Sequence, residues 1–273
     1  MAPGASLNPL ADTHCHLDFQ AYDSDRDQVI SRAWEKGVKW ILNPGIDLQT
    51  SRDAIRLAEM FPGVYAAVGV HPNDGLSWDA GTLQELEKLA GHPRVLAIGE
   101  IGLDYYRDRT LPKVQMKIFR TQLELAARLH LPVIVHCRQA MEDLQKILKE
   151  WCFTIHSRVG EEKKPFGVLH SFDGDLDEAR QAIEMSFLIG VGGPVTFQNA
   201  RQKQELIKAL PLENIVLETD APFLTPHPYR GQRNEPGYIP LIAEAVATLQ
   251  KRPFDTVARV TTQNAARLFS WSL

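Results

Sequence analysis

Short apolar runs alternate with longer amphipathic stretches along almost the whole chain. Eight runs are rich in Val, Ile and Leu and end in Gly, Pro, Asn or Asp, a pattern typical of strands buried on both faces. They are LADTHCH, VKWILNPG, VYAAVGVHP, RVLAIGEIGLD, LPVIVHC, FGVLHSF, SFLIGVGG and NIVLETDAP. The stretches between them repeat their apolar positions every three to four residues, which predicts a helix after each strand.

This alternation predicts parallel strands joined by right-handed crossovers. Eight such strands close into a barrel without a free edge, so we predict an α/β fold of the (β/α)8 TIM-barrel type. A doubly wound open sheet is the alternative. It usually has fewer strands and a Gly-rich phosphate-binding turn, and the sequence contains neither GxGxxG nor a Walker pattern.

The chain has no linker, repeat or low-complexity stretch that would divide it. Residues 1–273 are therefore predicted to form one domain, which is within the usual length of a single barrel. The charged stretch at 157–165, SRVGEEKKP, is predicted to be an exposed loop inserted after the fifth helix.

Composition narrows the class of protein. The chain is 44% hydrophobic and 23% charged, and no apolar run approaches the roughly 18–20 residues of a membrane-spanning helix. A net charge of -4 argues against a generally basic nucleic-acid-coating protein, although a local basic groove stays open. Three sparse cysteines and no visible secretory signal favour an intracellular location, in the cytoplasm, the nucleus or both. We expect no membrane association and no obligate protein partner.

Nitrogen and oxygen donors stand at the ends of five predicted strands, where a TIM barrel carries its active site. These residues are His14, His16, Glu100, His136, His170 and Asp220. A single histidine in such a place is more often a buried imidazole bonded to the backbone. Burying all six without a partner would cost several kcal/mol, so a shared metal centre is the better explanation.

Imidazole and carboxylate ligands without a thiolate pair suit Mg²⁺, Mn²⁺ or Zn²⁺, and the sequence does not choose among them. Six ligands exceed what one catalytic ion needs, so we predict two divalent cations with Glu100 as the bridge. Asp220 and Glu100 are the predicted catalytic residues, with Asp220 orienting or deprotonating the attacking water. Cys15 and Cys137 are expected to face away from the ligands, and no cysteine nucleophile is needed.

Three further residues are predicted to bind substrate: His71, Asp104 and Arg138. Arg138 would contact a phosphate through two parallel hydrogen bonds, or else pair with a loop carboxylate. His71 would contact substrate or support a ligand, or else cap a turn. The adjacent Tyr105 and Tyr106 would stack on a base or pack over the barrel mouth.

Seven blocks, in order, resemble the signature motifs of the TatD-type deoxyribonuclease family: DTHCHLD, GVHP, GEIGLDYY, VIVHCR, LHSF, ETDAPFLTP and RGQRNEP. The resemblance runs from about residue 11 to the terminal TTQNAARLF. It implies a TIM-barrel metal-dependent hydrolase acting on DNA ends, typically as a 3′→5′ exonuclease, with apurinic-site cleavage also implied. It also places metal binding on the six strand-end residues, and it is nearest to the third of the animal paralogue groups.

The chain departs from the family pattern at two positions that are not predicted ligands. Ser171 stands where the family often has Cys, and Ala221 stands where Ser often follows the aspartate. The leading hypothesis is thus a divalent-metal deoxyribonuclease acting on DNA ends or single strands, with RNA left open. The alternatives are a hydrolase of a small ester, amide or phosphate, and a non-catalytic binding protein that retains a metal.

Overall fold

Eight parallel strands pair in the order in which they occur along the chain. The structure is a computed structural model that describes residues 8–159 and 164–272. The strands are β1 Leu10–Asp12, β2 Val38–Pro44, β3 Val64–Val68, β4 Val95–Asp104, β5 Val133–Arg138, β6 Gly167–Leu169, β7 Phe187–Val191 and β8 Ile215–Leu217. Each is followed by a helix before the next begins, as the sequence pattern predicts.

The helices reproduce the predicted amphipathic stretches. They are α1 Arg26–Glu35, α2 Leu48–Met60, α3 Thr82–Ala90, α4 Pro112–Leu129, α5 Met141–Val159, α6 Leu176–Glu184, α7 Arg201–Ala209, α8 Ile239–Gln250 and α9 Phe254–Phe269. Of the helices in the described ranges, none has the length and hydropathy to cross a bilayer.

The barrel closes where the chain leaves β1 and β8. The backbone N–H of Thr13 donates to the carbonyl of Leu217 at 3.0 Å, and that of Asp220 donates to the carbonyl of His14 at 2.8 Å. A parallel bridge between Cys15 and Ala221 continues this contact beyond the strands. The TIM-barrel prediction is confirmed, and the open-sheet alternative is excluded because the two outer strands meet.

The barrel interior is filled by one buried apolar side chain from every strand, and the last helix closes its floor. The eight side chains are Ala11, Leu42, Ala67, Ala97, Ile134, Val168, Leu188 and Val216. Phe269 and Trp271 at the end of the chain pack into the same cluster. Since α9 covers the amino-terminal end of the barrel, only the carboxyl-terminal end is open for a site.

Two predicted boundaries are wrong. The fourth strand does not end at Glu100 but continues to Asp104, because its pairing with β5 resumes after an irregularity at Glu100. Residues 157–159 are not loop but the end of α5, since no helix-breaking Gly or Pro lies between Met141 and Gly160. Residues 160–163 of the predicted loop lie outside the described residues.

A glycine in β4 allows the close approach of β4 to β5 beside His136. Gly102 has φ +145°, and a Cβ at this position would overlap the His136 carbonyl. We therefore expect Gly102→Ala to lower the free energy of unfolding by about 3 kcal/mol, measured in urea with chelator present. Gly37→Ala is the matched control, because Gly37 also has positive φ (+89°) but open space around its Cβ position. It should cost only about 1 kcal/mol, and equal losses in the two variants would contradict the overlap.

Candidate metal centre

A carboxylate at the centre of the open barrel end is placed by a β-bulge. Between Ile98 and Ile101, β4 advances three residues while β5 advances only two, from Val133 to Val135. The extra residue turns the chain locally, and the backbone N–H of Glu100 donates to the carbonyl of Gly45, directly after β2, at 2.9 Å. As a result, the Glu100 side chain enters the barrel mouth, where it is only 3% exposed.

One oxygen of this carboxylate faces the histidines that follow β1. Glu100 Oε2 lies 3.3 Å from His14 Nε2 and 3.6 Å from His16 Nε2. Asp220 Oδ1 completes the group at 3.8 Å from His14 Nε2 and 3.7 Å from His16 Nε2. Because one residue separates the two histidines, their side chains leave the chain on the same side, as predicted.

The other oxygen faces the histidines of β5 and of the turn after β6. Glu100 Oε1 lies 2.9 Å from His136 Nδ1 and 2.8 Å from His170 Nε2. The two ring nitrogens are 3.1 Å apart. The structure thus brings together all six predicted ligands, in two groups that share Glu100.

The charge states of His14, His16, His170 and Glu100 fit divalent cations. Burial lowers the pKa values of His14 and His170 and lowers that of His16 to about 3, so these rings are neutral near pH 7 and keep a free lone pair. Burial alone would raise the pKa of Glu100, but the surrounding imidazoles outweigh it and hold this pKa well below its usual range. Neutral nitrogens converging on an ionised carboxylate are the donor set that Zn²⁺ or Mn²⁺ binds.

Asp220 lies nearer the solvent than Glu100 does. The Asp220 side chain is 15% exposed, and burial raises its pKa to about 6. A carboxylate with this pKa is ionised at pH 7 and is still basic enough to accept a proton, as general base catalysis requires. Its φ of +55° lies in the left-handed region, which Asp and Asn tolerate better than most residues.

His136 lies between two carboxylates. Its Nε2 is 3.4 Å from Asp104 Oδ2, and its Nδ1 faces Glu100. Burial lowers the pKa of His136, but these two acidic neighbours outweigh it and raise the pKa to about 9. Asp104 therefore stabilises the ring in its orientation towards Glu100.

The hydrogen bonds of His71 indicate which of its nitrogens carries the proton. Its Nδ1 accepts the backbone N–H of Asn73 at 3.0 Å, so a neutral ring is protonated on Nε2. That Nε2 lies 3.4 Å from Glu100 Oε1. A protonated nitrogen donates a hydrogen bond rather than binding a metal, so His71 is set up as a donor beside the ligand cluster.

Asp104 makes its hydrogen bonds to the protein. Its Oδ1 accepts the backbone N–H groups of Tyr106 and Arg107, and its Oδ2 accepts the Asn73 side-chain amide at 2.9 Å. The side chain also lines the open cavity above the cluster. Its geometry is that of a positioning residue, and a direct contact with substrate stays a prediction.

Arg138 is exposed at the rim of this cavity. Its guanidinium lies 3.7 Å from the ring centroid of Tyr106, and it forms no ion pair with a carboxylate of the described residues. Tyr106 is 55% exposed, whereas Tyr105 packs against the core and donates its hydroxyl to Asp143 at 2.8 Å. The guanidinium remains available to a phosphate at the mouth.

A cavity of about 630 Å³ opens over the cluster and is lined by all three predicted substrate-binding residues, His71, Asp104 and Arg138. Cys137 also lines it, contrary to the expectation that this side chain faces away. Burial raises the pKa of the Cys137 thiol to about 12, and that of the Cys15 thiol well above its usual range. Neither residue is therefore a thiolate nucleophile near pH 7.

Sequence reasoning missed a buried carboxylate two residues before Asp220. Glu218 is fully buried, and it lies close enough to His14 and His170 to form a metal-capable group with them. One of its oxygens accepts the backbone N–H of Ser171, and the other has no hydrogen-bond partner among the described residues. The alternation of Glu218 and Asp220 along the chain was the available signal.

A second missed residue ties the ends of β1 and β8 together. The Asp12 carboxylate accepts the Thr219 backbone N–H at 2.9 Å, the Thr219 hydroxyl at 2.6 Å and the His14 backbone N–H at 3.2 Å. His14 lies two residues after Asp12, and Asp220 directly follows Thr219. The hydrogen bonds between Asp12 and Thr219 therefore set the distance between two proposed ligands.

Comparison with known proteins gives a consistent result. A family model described as TatD related DNase matches residues 11–270. A Bacillus subtilis protein named uncharacterized metal-dependent hydrolase YabD is 42% identical over 95% of this chain and 98% of its own length. The 3′-5′ ssDNA/RNA exonuclease TatD of Musicola paradisiaca is 37% identical over 95% of this chain and 97% of its own. The crystal structure of YJJV, a TatD homolog from Escherichia coli, superposes with a TM-score of 0.89, 31% identity and coverage of 97% and 100%.

Proposed function

Since this chain belongs to the TatD related DNase family and is a metal-dependent hydrolase, we propose that it hydrolyses DNA phosphodiester bonds as a 3′→5′ exonuclease. The observation that carries the proposal is the Glu100 carboxylate, whose two oxygens face two separate groups of ring nitrogens. A carboxylate placed in this way could bridge a pair of divalent cations that act on one phosphate.

Each side chain has a separate task in this proposal. His14, His16 and Asp220 would hold one divalent cation, His136 and His170 the other, and Glu100 both. When bound there, Mg²⁺, Mn²⁺ or Zn²⁺ would supply Lewis-acid activation of water and of the phosphoryl oxygens. Asp220, at the solvent edge of the cluster, accepts the proton of the attacking water.

Residues around the cluster position the substrate. His71 donates its Nε2–H to a phosphoryl oxygen or to Glu100, and Asp104 keeps His136 oriented. Arg138 supplies a positive charge at the rim for the phosphate next to the scissile one. The contact with the Tyr106 ring holds this guanidinium at the rim.

The substrate we propose is a DNA end or a single strand. A net charge of -4 gives little long-range attraction for a duplex, whereas two divalent cations would add about +4 at the site. Relatives named as ssDNA/RNA exonucleases support this choice and keep RNA as a possible second substrate. Cleavage at apurinic sites, membership of the third animal paralogue group, an intracellular location and the absence of an obligate protein partner stay predictions.

A labelled oligonucleotide provides the test. After chelation and dialysis, the protein should be inactive, and Mg²⁺, Mn²⁺ or Zn²⁺ should restore stepwise shortening of a single strand from its 3′ end. A blunt duplex of the same sequence should be degraded at least about tenfold more slowly, because its terminal base must first leave the stack. Denaturing gels with the label at either end show both rate and direction.

The small-molecule alternative is tested in the same experiment. A panel of nitrophenyl phosphates, esters and amides is assayed beside the oligonucleotide with each metal. Turnover of a panel member without nucleotide release would reject the nuclease proposal and leave a small-molecule hydrolase on the same barrel. Tight retention of long duplex DNA, weakening steeply as salt increases, would contradict the preference for ends.

A further inference from the structure

One wall of the cavity above the metal centre is aromatic. The ring of Phe19 stacks on the ring of His16, with centroids 4.6 Å apart and planes inclined by 21°. The ring of Phe223 meets Phe19 edge to face at 6.0 Å and 77°. Phe223 is therefore separated from a proposed metal ligand by a single side chain.

This aromatic wall is exposed, although the loop that carries it is firmly held. Phe223 is 51% exposed and the adjacent Leu224 is 38% exposed, and both line the cavity. The fully buried Asn234 donates its side-chain amide to the carbonyl of Thr219 at 2.9 Å and to that of Phe223 at 2.6 Å. The backbone that carries Phe223 is thus held in place while its ring is exposed beside Leu224, and an exposed apolar patch of this kind is typical of a binding surface.

Two arginines lie on the side of the mouth opposite the aromatic wall, and Lys203 of α7 also lines the cavity. Arg107 follows β4, and Arg138 ends β5; both line the cavity and are exposed. Phe19 and Phe223 follow β1 and β8, which lie three to four strands away around the closed barrel. A ligand spanning the mouth would meet an apolar face on one side and cations on the other, with the metal centre between them.

The terminal nucleotide of a nucleic acid matches this arrangement, because it has a flat base on one side and anionic phosphates on the other. We propose that Phe223, backed by Phe19, is the stacking platform for the unpaired terminal base of a nucleic acid strand, a proposal that rests on the nuclease function above. A base inside a duplex already has both faces covered by its neighbours, so only an unpaired end lays a free face on this ring. The platform therefore selects single-stranded ends without reading their sequence.

The test compares two single-stranded oligonucleotides that differ only at the 3′ terminus. One carries a normal nucleotide, and the other carries a tetrahydrofuran abasic residue with the same phosphate. Phe223→Ala should raise KM for the normal end about tenfold, with little change in kcat, and should leave the abasic end unaffected. Phe223→Trp should restore the normal KM, because an indole also offers a stacking face.

A control variant and the activity of the unaltered protein are needed to interpret this result. Met60→Ala removes an exposed apolar side chain at the end of α2, on the opposite face of the barrel, and should leave both substrates unchanged. Equal effects of Phe223→Ala on both oligonucleotides, or no effect on either, would overturn the platform. If the unaltered protein shortens neither oligonucleotide with any of the three metals, the nuclease proposal itself fails, and the two failures are thereby distinguished.

Discussion

Replacing Asp220 by Asn is expected to lower kcat on a single-stranded oligonucleotide by about 10³-fold while the protein stays folded. The carboxylate is the proposed proton acceptor, and general base catalysis is worth about 10²–10⁴-fold. Asn has the same shape, tolerates the φ of +55° at this position and keeps the backbone bond to the His14 carbonyl. The loss should therefore report on the missing carboxylate, as base and as metal ligand, rather than on altered folding.

Steady-state kinetics at saturating metal, with circular dichroism as a check of folding, measure this effect. Asp177→Asn is the control, because Asp177 is 82% exposed on α6 and lies outside the cavity lining. It should stay within about twofold of the unaltered protein. Activity of Asp220→Asn within tenfold of normal would place the proton acceptor elsewhere and reject the role given to Asp220.

Replacing Glu100 by Gln is expected to lower the metal content from two ions per chain to one or none. The rate of oligonucleotide hydrolysis should fall by about 10³-fold or more. Each oxygen of this carboxylate faces a different pair of histidines, at 2.8–3.6 Å. An amide supplies only one acceptor oxygen, and its NH₂ group would face ring nitrogens on the other side. Both groups of ligands are therefore weakened by a single substitution.

Elemental analysis of the purified variant measures the metal content, and the rise in Tm on adding Mn²⁺ or Zn²⁺ measures binding independently of activity. Glu205→Gln on α7, whose side chain is 70% exposed, is the matched control and should bind like the unaltered protein. Two ions per chain in Glu100→Gln, with a normal Tm response, would refute the bridging role.

Much of the site was predictable because strand ends in a TIM barrel meet at one place. Once the runs before His136 and His170 are recognised as parallel strands, their carboxyl ends must lie at the same end of the barrel. The spacing of His14 and His16 puts both on one side of an extended chain. These inferences need only local periodicity and one topological rule.

The position of Glu100 was predicted only in part. The strand continues past it, and the side chain reaches the centre because a bulge opposite Val133–Val135 adds one residue to β4. A bulge arises from the pairing of two strands, and the sequence of one strand does not reveal where its partner falls out of step. The division of the ligands between the two oxygens of Glu100 follows from that placement.

The sequence also did not reveal that Glu218, Asp12 and Phe223 belong to the site. Glu218 becomes a neighbour of His14 and His170 only when β6, β8 and β1 are brought together, and Asp12 contacts Thr219 across 207 residues of chain. Phe223 belongs to the aromatic wall because Asn234, eleven residues later, holds its carbonyl. The contacts of Asp12 and Phe223 leave no periodic pattern in the sequence, and the signal available for Glu218 was its alternation with Asp220.

The sequence by itself determined the alternation of strands and helices, the barrel they form and the six residues that converge at its open end, because backbone periodicity and side-chain alternation are local properties. Only the tertiary structure decided how Glu100 divides those residues into two groups, which nitrogen of His71 carries a proton and which wall of the cavity is aromatic. These depend on distances between strands far apart in the chain, and such distances are set by closure and packing of the whole barrel.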